Sequence, residues 1–338
     1  MKDWIITDYD RDLFERELQS FVPTRVFDAH VHLYLRDHFP PDDVPELFRG
    51  GPARIGAEEF THDIAQLIPG REMDGLFFAF PKVGMDLAAA NGFIAREVTK
   101  LPRSRGQMVV TPDLDPEFIR ESVRSEGFVG LKCYHVFARS QPTFEAPIED
   151  FLPEEQARIA HEEGLSITLH LVRARALADL GNQETIRRYC RRYPDMRLIL
   201  AHAARGFNPH HTIEGIDALA GLDNLWFDTA AVTDSGALEV IIRKLGHHRL
   251  LYGSDFPVTH IRGRCVAIGD SFVWLSVNNL PREVLHAKVR PTMIGLESLR
   301  TLKVAALASR LTDAQIEDVF YNNASGLYEL GRDNPRLR

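Results

Sequence analysis

Phe27-Asp28-Ala29-His30-Val31-His32-Leu33 is an apolar run interrupted by two histidines two positions apart. Side chains alternate along a strand, so His30 and His32 point to the same side. Downstream, other apolar runs end as abruptly in a ligand-type residue. They are Ile167-Thr168-Leu169-His170, Ile199-Leu200-Ala201-His202 and Leu251-Tyr252-Gly253-Ser254-Asp255. In all, eight short apolar runs recur, and they predict strands at 25–33, 74–81, 107–112, 128–134, 166–172, 197–203, 224–229 and 249–255. Most are nearly continuous in Val, Ile, Leu, Phe and Ala, as parallel strands covered on both faces should be.

The segments between these runs carry helix signals. Asp115 and Pro116 read as an N-cap and a first-turn proline. Pro153, Glu154 and Glu155 open another helix, which Gly164 closes. Ser235 to Leu245 reads as a helix ending at Gly246, and residues 8–20 as an extra helix before the first strand. Thr312 and Gln315 have capping-box spacing ahead of C-terminal helices. Strand–helix alternation repeated eight times means a closed barrel or a large doubly wound sheet. Two stretches break the rhythm, 36–56 and 258–291. In a barrel both would lie over the C-terminal rim, where loops shape the pocket. No linker, repeat or low-complexity tract divides the chain, so residues 1–338 read as one α/β domain.

Composition limits the function. The 338 residues carry a formal charge of −8, with 44% hydrophobic and 26% charged residues, which is globular usage. A pI near 6.0 argues against nucleic acid, because phosphate binding needs a basic face. Cys133, Cys190 and Cys265 are few, odd in number and widely spaced. That fits a reducing cytoplasm and not a disulfide framework. The N-terminus lacks a basic-then-apolar signal pattern, and no apolar run approaches the roughly 18–20 residues of a membrane helix. The expectation is a soluble cytoplasmic protein with no membrane partner.

If the strands close into a barrel, four imidazoles and a carboxylate gather at one end of it. Buried polar side chains need partners, and these five are hard to satisfy with each other alone. A divalent metal satisfies them together: imidazole and carboxylate suit Zn2+, with Mn2+ as the alternative, and an unfilled position leaves room for water.

At these residues the chain resembles the amidohydrolase superfamily, in the branch often called amidohydrolase family 2. That branch includes aminocarboxymuconate semialdehyde decarboxylase, resorcylate-type decarboxylases and pyrone-dicarboxylate lactonase. The resemblance rests on FDAHVHL at 27–33, GLKCYH at 130–135, LHL at 169–171, LAHAARG at 200–206, LYGSDFP at 251–257 and YNNASGLY at 321–328. It implies a distorted (β/α)8 TIM barrel. It also implies that His30, His32, His170 and Asp255 ligate one divalent metal, with His202 beside it as an acid/base or orienting group. In two-metal relatives a strand-four lysine is carboxylated and bridges the ions, and Lys132 ends strand four here. Unmodified, Lys132 would instead hold an anionic substrate group.

The chemistry expected of this set is hydrolysis. A divalent ion lowers the pKa of its water toward about 7, and Asp255 accepts the proton as attack proceeds. Arg173 and Arg205 follow strand ends and suit carboxylate binding. With Lys132 they point to a small anionic substrate, with Tyr134 and His135 lining its pocket. Asp228 could orient a ligand histidine or cap the next helix. His210, His211, His247 and His248 read as solvated. The lead expectation is a metal-dependent hydrolase of a small carboxylated lactone, ester or amide. The alternatives are a non-oxidative decarboxylase on the same ligand set and a catalytically silent binding barrel. His-x-His in place of Glu-x-His favours hydrolysis. Barrels of this type often dimerise, so a homodimer is expected.

Overall fold

A computed structural model describes residues 4–277, 279, 280, 283 and 290–330. Its main sheet runs β1 (Arg25–Leu35), β2 (Arg54–Ile55), β3 (Glu72–Ala79), β4 (Arg105–Val110), β5 (Gly130–Cys133), β6 (Ser166–Leu169), β7 (Arg197–Leu200), β8 (Leu225–Asp228) and β9 (Leu250–Leu251). The spatial order is β2-β1-β3-β4-β5-β6-β7-β8-β9, parallel throughout except for the two-residue β2, which lies antiparallel against the end of β1. The eight parallel strands are the eight sequence runs. All but the first, which runs on to Leu35, stop earlier than expected: the sixth run ends as a strand at Leu200 and the eighth at Leu251.

What shuts the sheet into a barrel is the irregular stretch after β9. Ala29 N donates to Tyr252 O at 2.8 Å, Asp255 N to His30 O at 3.0 Å and His32 N to Phe256 O at 2.8 Å. These bonds join the last barrel strand to the first. The choice between a barrel and an open sheet is thereby decided in favour of a distorted (β/α)8 barrel. The distortion lies at this seam and at a bulge in β1 between Asp28 and Val31.

Helices cover the outside in the expected alternation. Asp115 caps Pro116–Ser125 by accepting from Phe118 N at 3.0 Å, and Ile119 and Val123, one turn apart, are buried on its inner face. Such i, i+4 apolar pairs bury one stripe of a surface helix against the sheet. The helices Glu154–Glu162 and Ser235–Leu245 form where proline and glycine mark their ends, and Thr312 with Gln315 makes the expected capping box. Asp8–Leu13 continues through a wider turn, Phe14–Leu18, as the extra N-terminal helix. It is pinned by Asp10, whose carboxylate accepts from Arg262 at 2.5 Å and Thr292 at 2.6 Å, all three buried. Segment 258–291 contains a hairpin that its sequence did not announce. Its strands, β10 (Gly263–Ile268) and β11 (Ser271–Ser276), pair only with each other. Positions 278, 281, 282 and 284–289 of that segment lie outside the described residues.

Candidate metal centre at the mouth of the barrel

His30, His32, His170, His202 and Asp255 all stand at the C-terminal ends of barrel strands, and all are at least nine-tenths buried. Asp255 Oδ1 lies 3.6 Å from His30 Nε2 and 3.5 Å from His32 Nε2. The His202 ring is 4.8 Å from that of His30 and 4.9 Å from that of His170. The local backbone explains the convergence. Asp255 has a φ of +62°, which turns its carboxylate back toward β1. Asp is among the few residues that tolerate this region. Residues 202–205 form a left-handed turn, φ +57°, +51°, +60° and +59°, immediately after β7. Each such residue costs roughly 1–2 kcal/mol. Strain of this kind persists only where surrounding contacts over-determine it.

Those contacts come largely from Asp228 at the end of β8. Its Oδ1 accepts from His202 N at 2.7 Å and Ala230 N at 3.1 Å. Its Oδ2 accepts from His30 Nδ1 at 2.9 Å. One buried carboxylate therefore holds the strained turn and one imidazole together. Of the two roles the sequence left open for Asp228, the structure shows the orienting one. His32 Nδ1 reaches Ala79 O at 3.3 Å and His202 Nδ1 reaches Ala230 O at 2.8 Å. Carbonyls only accept, so both rings donate from Nδ1 and turn Nε2 to the centre, and in His32, held neutral by burial, that nitrogen is bare. Outer contacts of this type fix ligand histidines in metal sites.

The electrostatics suit a cation. Burial, reinforced by Lys132, holds His30 and His32 well below the ordinary imidazole range. Burial and the neighbouring His202 do the same for His170. These three rings are neutral at neutral pH, with lone pairs available. His170 Nδ1 is moreover buried without a hydrogen-bond partner. Asp255 is pushed up to about 6 by burial, against the pull of His202 and Lys132. Burial brings Lys132 down to about 8, opposed by Asp228 and Asp255. Its Nζ sits 3.3 Å from His30 Nε2 and 4.3 Å above the Phe78 ring. Neutral imidazoles beside a carboxylate at bonding range are the donor set of a divalent ion. Two triads, His30–His32–Asp255 and His30–His202–Asp228, have ligand atoms within 4.8 Å of one another. His170 belongs to neither triad, but its ring borders both His202 and Tyr134, the latter at 4.7 Å.

The centre forms the floor of a cavity of about 1070 Å³. His32, His170, His202 and Asp255 line it, as does Tyr134. Segments 36–56 and 258–291 supply rim residues, among them Glu46, Leu47 and Trp274, as expected of them. The other residues proposed to meet substrate are placed differently. Lys132 is wholly buried beneath the floor. His135 packs on the Tyr134 ring with its Nδ1 3.3 Å from Thr143 Oγ1, and does not line the cavity. Arg173 donates to Asp179 at 2.8 Å, the residue that caps Leu180–Arg192. Arg205 Nη1 donates to Arg173 O at 3.1 Å, and its guanidinium lies between the rings of Phe144 and Phe272. His211, read as solvated, is buried and bonds Asp270 at the hairpin tip at 3.0 Å. Phe80, Phe207 and Trp4, which also line the cavity, gave no sequence signal beyond being apolar.

The chain belongs to the amidohydrolase family, whose model matches residues 27–330, and it is an enzyme of that family. It is 24% identical over 276 residues to an L-fucono-1,5-lactonase of Burkholderia ambifaria, covering 74% of this chain and 85% of that protein. A solved structure of a probable 2-pyrone-4,6-dicarboxylic acid hydrolase from Acinetobacter baumannii, with citric acid bound, superposes with a TM-score of 0.55. Its identity is 15%, covering 91% of this chain and 99% of that one. A manganese-bound dihydroxybenzoic acid decarboxylase from Polaromonas sp. JS666 superposes at 0.50 with 16% identity, covering 93% and 99%. Members of this family bind a divalent metal, and the residues described here fit one. Among the described residues, no helix is long and apolar enough to cross a membrane.

Proposed function

We propose that the protein is a metal-dependent hydrolase of a small lactone, ester or amide, and that Zn2+ is its ion. The observation that carries this reading is the meeting of His30 Nε2, His32 Nε2 and Asp255 Oδ1, with His32 and Asp255 lining the floor of an open cavity. His30, His32, His170 and Asp255 would hold the ion, which when bound polarises a carbonyl oxygen and acidifies water. Asp255 accepts the proton of the attacking water, because its carboxylate is the buried base at the floor. His202, turned by its Nδ1 contact with Ala230 O, brings Nε2 beside the same point, where it relays to the leaving group the proton that Asp255 has taken. Asp228 fixes the direction of both His30 and His202 and so positions the pair. The lactonase relative supports a lactone among these substrate types.

Purified protein should contain close to one zinc per chain and hydrolyse lactones or esters in a pH-indicator screen. Chelation should abolish turnover, and zinc should restore it. Release of carbon dioxide from aromatic or muconate-type acids, without ester or lactone turnover, would replace this reading by the decarboxylase one. Full activity in metal-stripped protein would remove the ion from the chemistry.

A further inference from the structure

The cavity walls have a chemical character of their own. On one side the Phe80 ring lies 5.0 Å from the ring of His32. On the other, the Phe207 ring lies 5.1 Å from that of His202, and Trp274 of the hairpin lies edge-on to Phe207 at 5.2 Å. Apolar side chains therefore extend from the candidate ligand rings themselves toward the rim, where Ser276 and Asn279 join them. Val258, Ile261 and Ile294 continue the apolar part. Among the described residues, no lysine or arginine lines the cavity, and the charged side chain at the rim is an acid, Glu46. Arg173 is paired with Asp179, and Arg205 is held between two rings outside the lining.

We infer that the substrate carries a bulky apolar group, aryl or alkyl, next to its scissile carbonyl, seated between Phe80 on one side and Phe207 and Trp274 on the other. This rests on the hydrolase reading above and narrows it. The physical reason is desolvation. A polyhydroxylated lactone would lose water from several hydroxyls against Phe80, Phe207, Val258, Ile261 and Ile294, which offer no hydrogen bonds, and each such loss is unfavourable. At the rim a carboxylate would meet Glu46 with no cation facing it among the described lining residues. A hydrocarbon group gains from the same surface. A volume of about 1070 Å³ is far more than a bare six-membered lactone fills, and it matches the upper range of sites that enclose drug-sized ligands.

The test is a series of δ-lactones on the zinc-loaded protein: unsubstituted, bearing alkyl chains of increasing length, bearing a phenyl group, polyhydroxylated, and carboxylated. kcat/KM should rise about three- to four-fold for each of the first added methylenes, the factor that burial of one such group supplies. The phenyl compound should exceed the unsubstituted one by more than ten-fold. Trp274→Ala should flatten the alkyl series. Binding of 2-phenyltetrahydropyran, an ether with no bond to hydrolyse, should quench tryptophan fluorescence, and tetrahydropyran should not. A flat alkyl series, or faster turnover of the hydroxylated or carboxylated lactones, would overturn the inference and leave the hydrolase reading standing. Binding of the phenyl ether without turnover of any lactone, ester or amide would overturn the hydrolase reading instead.

Discussion

Replacing Asp228 by asparagine should damage metal binding more than the loss of one hydrogen bond would suggest. The Asn side-chain oxygen can still accept from His202 N and Ala230 N, so the left-handed turn keeps its anchor. The amide nitrogen then stands where Oδ2 was, 2.9 Å from His30 Nδ1. Two donors cannot face each other, so the imidazole must move its proton to Nε2. That nitrogen is the one directed at Asp255 and Lys132, and with a proton on it the ring is no longer a ligand. Loss of an outer partner of a metal-bound histidine ordinarily weakens binding about 10–100-fold. At about 1.4 kcal/mol per decade that is roughly 1.4–2.7 kcal/mol. The tautomer reversal adds to it, so a loss of about 100-fold or more is expected. Competition against a fluorescent chelator measures zinc affinity, and thermal melting of the metal-free protein checks that the fold survives. Wild-type zinc affinity in folded Asp228→Asn protein would refute the reasoning, because His30 would then not bind the ion through Nε2.

Three further outcomes are expected. His202→Gln should retain zinc while turnover falls about 100-fold or more, the usual size of a lost proton-transfer group; metal analysis beside steady-state kinetics checks it. Asp10→Asn should destabilise the fold by about 3 kcal/mol, since it removes the charge of the buried carboxylate that pairs with Arg262. In the wild type, burial raises the Asp10 carboxyl, but hydrogen bonds from Arg262, Thr292 and Thr7 outweigh it and hold the group at about 2. The folded value lies below the ordinary 3.8, so this stabilisation is complete above about pH 4 and disappears as pH falls through about 2. Urea melts at several pH values, wild type against variant, should show the difference closing in that window. Arg173→Ala should leave KM unchanged and cost under about 1 kcal/mol of stability, because its partly exposed pair with Asp179 lies outside the cavity. A ten-fold rise in KM would place Arg173 back in substrate binding.

Much of this architecture could be read from local pattern. The strand cores and caps such as Asp115 and Thr312 are local features, and the structure has them where the sequence places them. What depended on distant neighbours was less visible. The run through Asp255 continues as an apolar pattern, yet past Leu251 it bonds to β1 irregularly and is not a ladder strand. Residues 202–205 are His-Ala-Ala-Arg, in which Ala and Arg are good right-handed helix formers, yet an aspartate 26 residues from His202 holds the turn in the opposite hand. Arg173 and Arg205 had the chemistry to bind a carboxylate, but Asp179 and two phenylalanines reach them first. His211 looked like a surface residue because nothing near it in sequence reveals that Asp270 folds back upon it.

The barrel closes where the first and last strands meet, and the candidate ligands flank that junction: His30 and His32 on one side, Asp255 on the other. An ion bound there would act as a rivet through a join otherwise held by a few main-chain bonds. Translation has to pass Asp255 before the rivet hole exists, so loading can only follow nearly complete synthesis. In the emptied protein this junction is the natural place for the cylinder to gape, and exchange of the amide hydrogens of Ala29, His32 and Asp255 should quicken there before it does elsewhere in the wall.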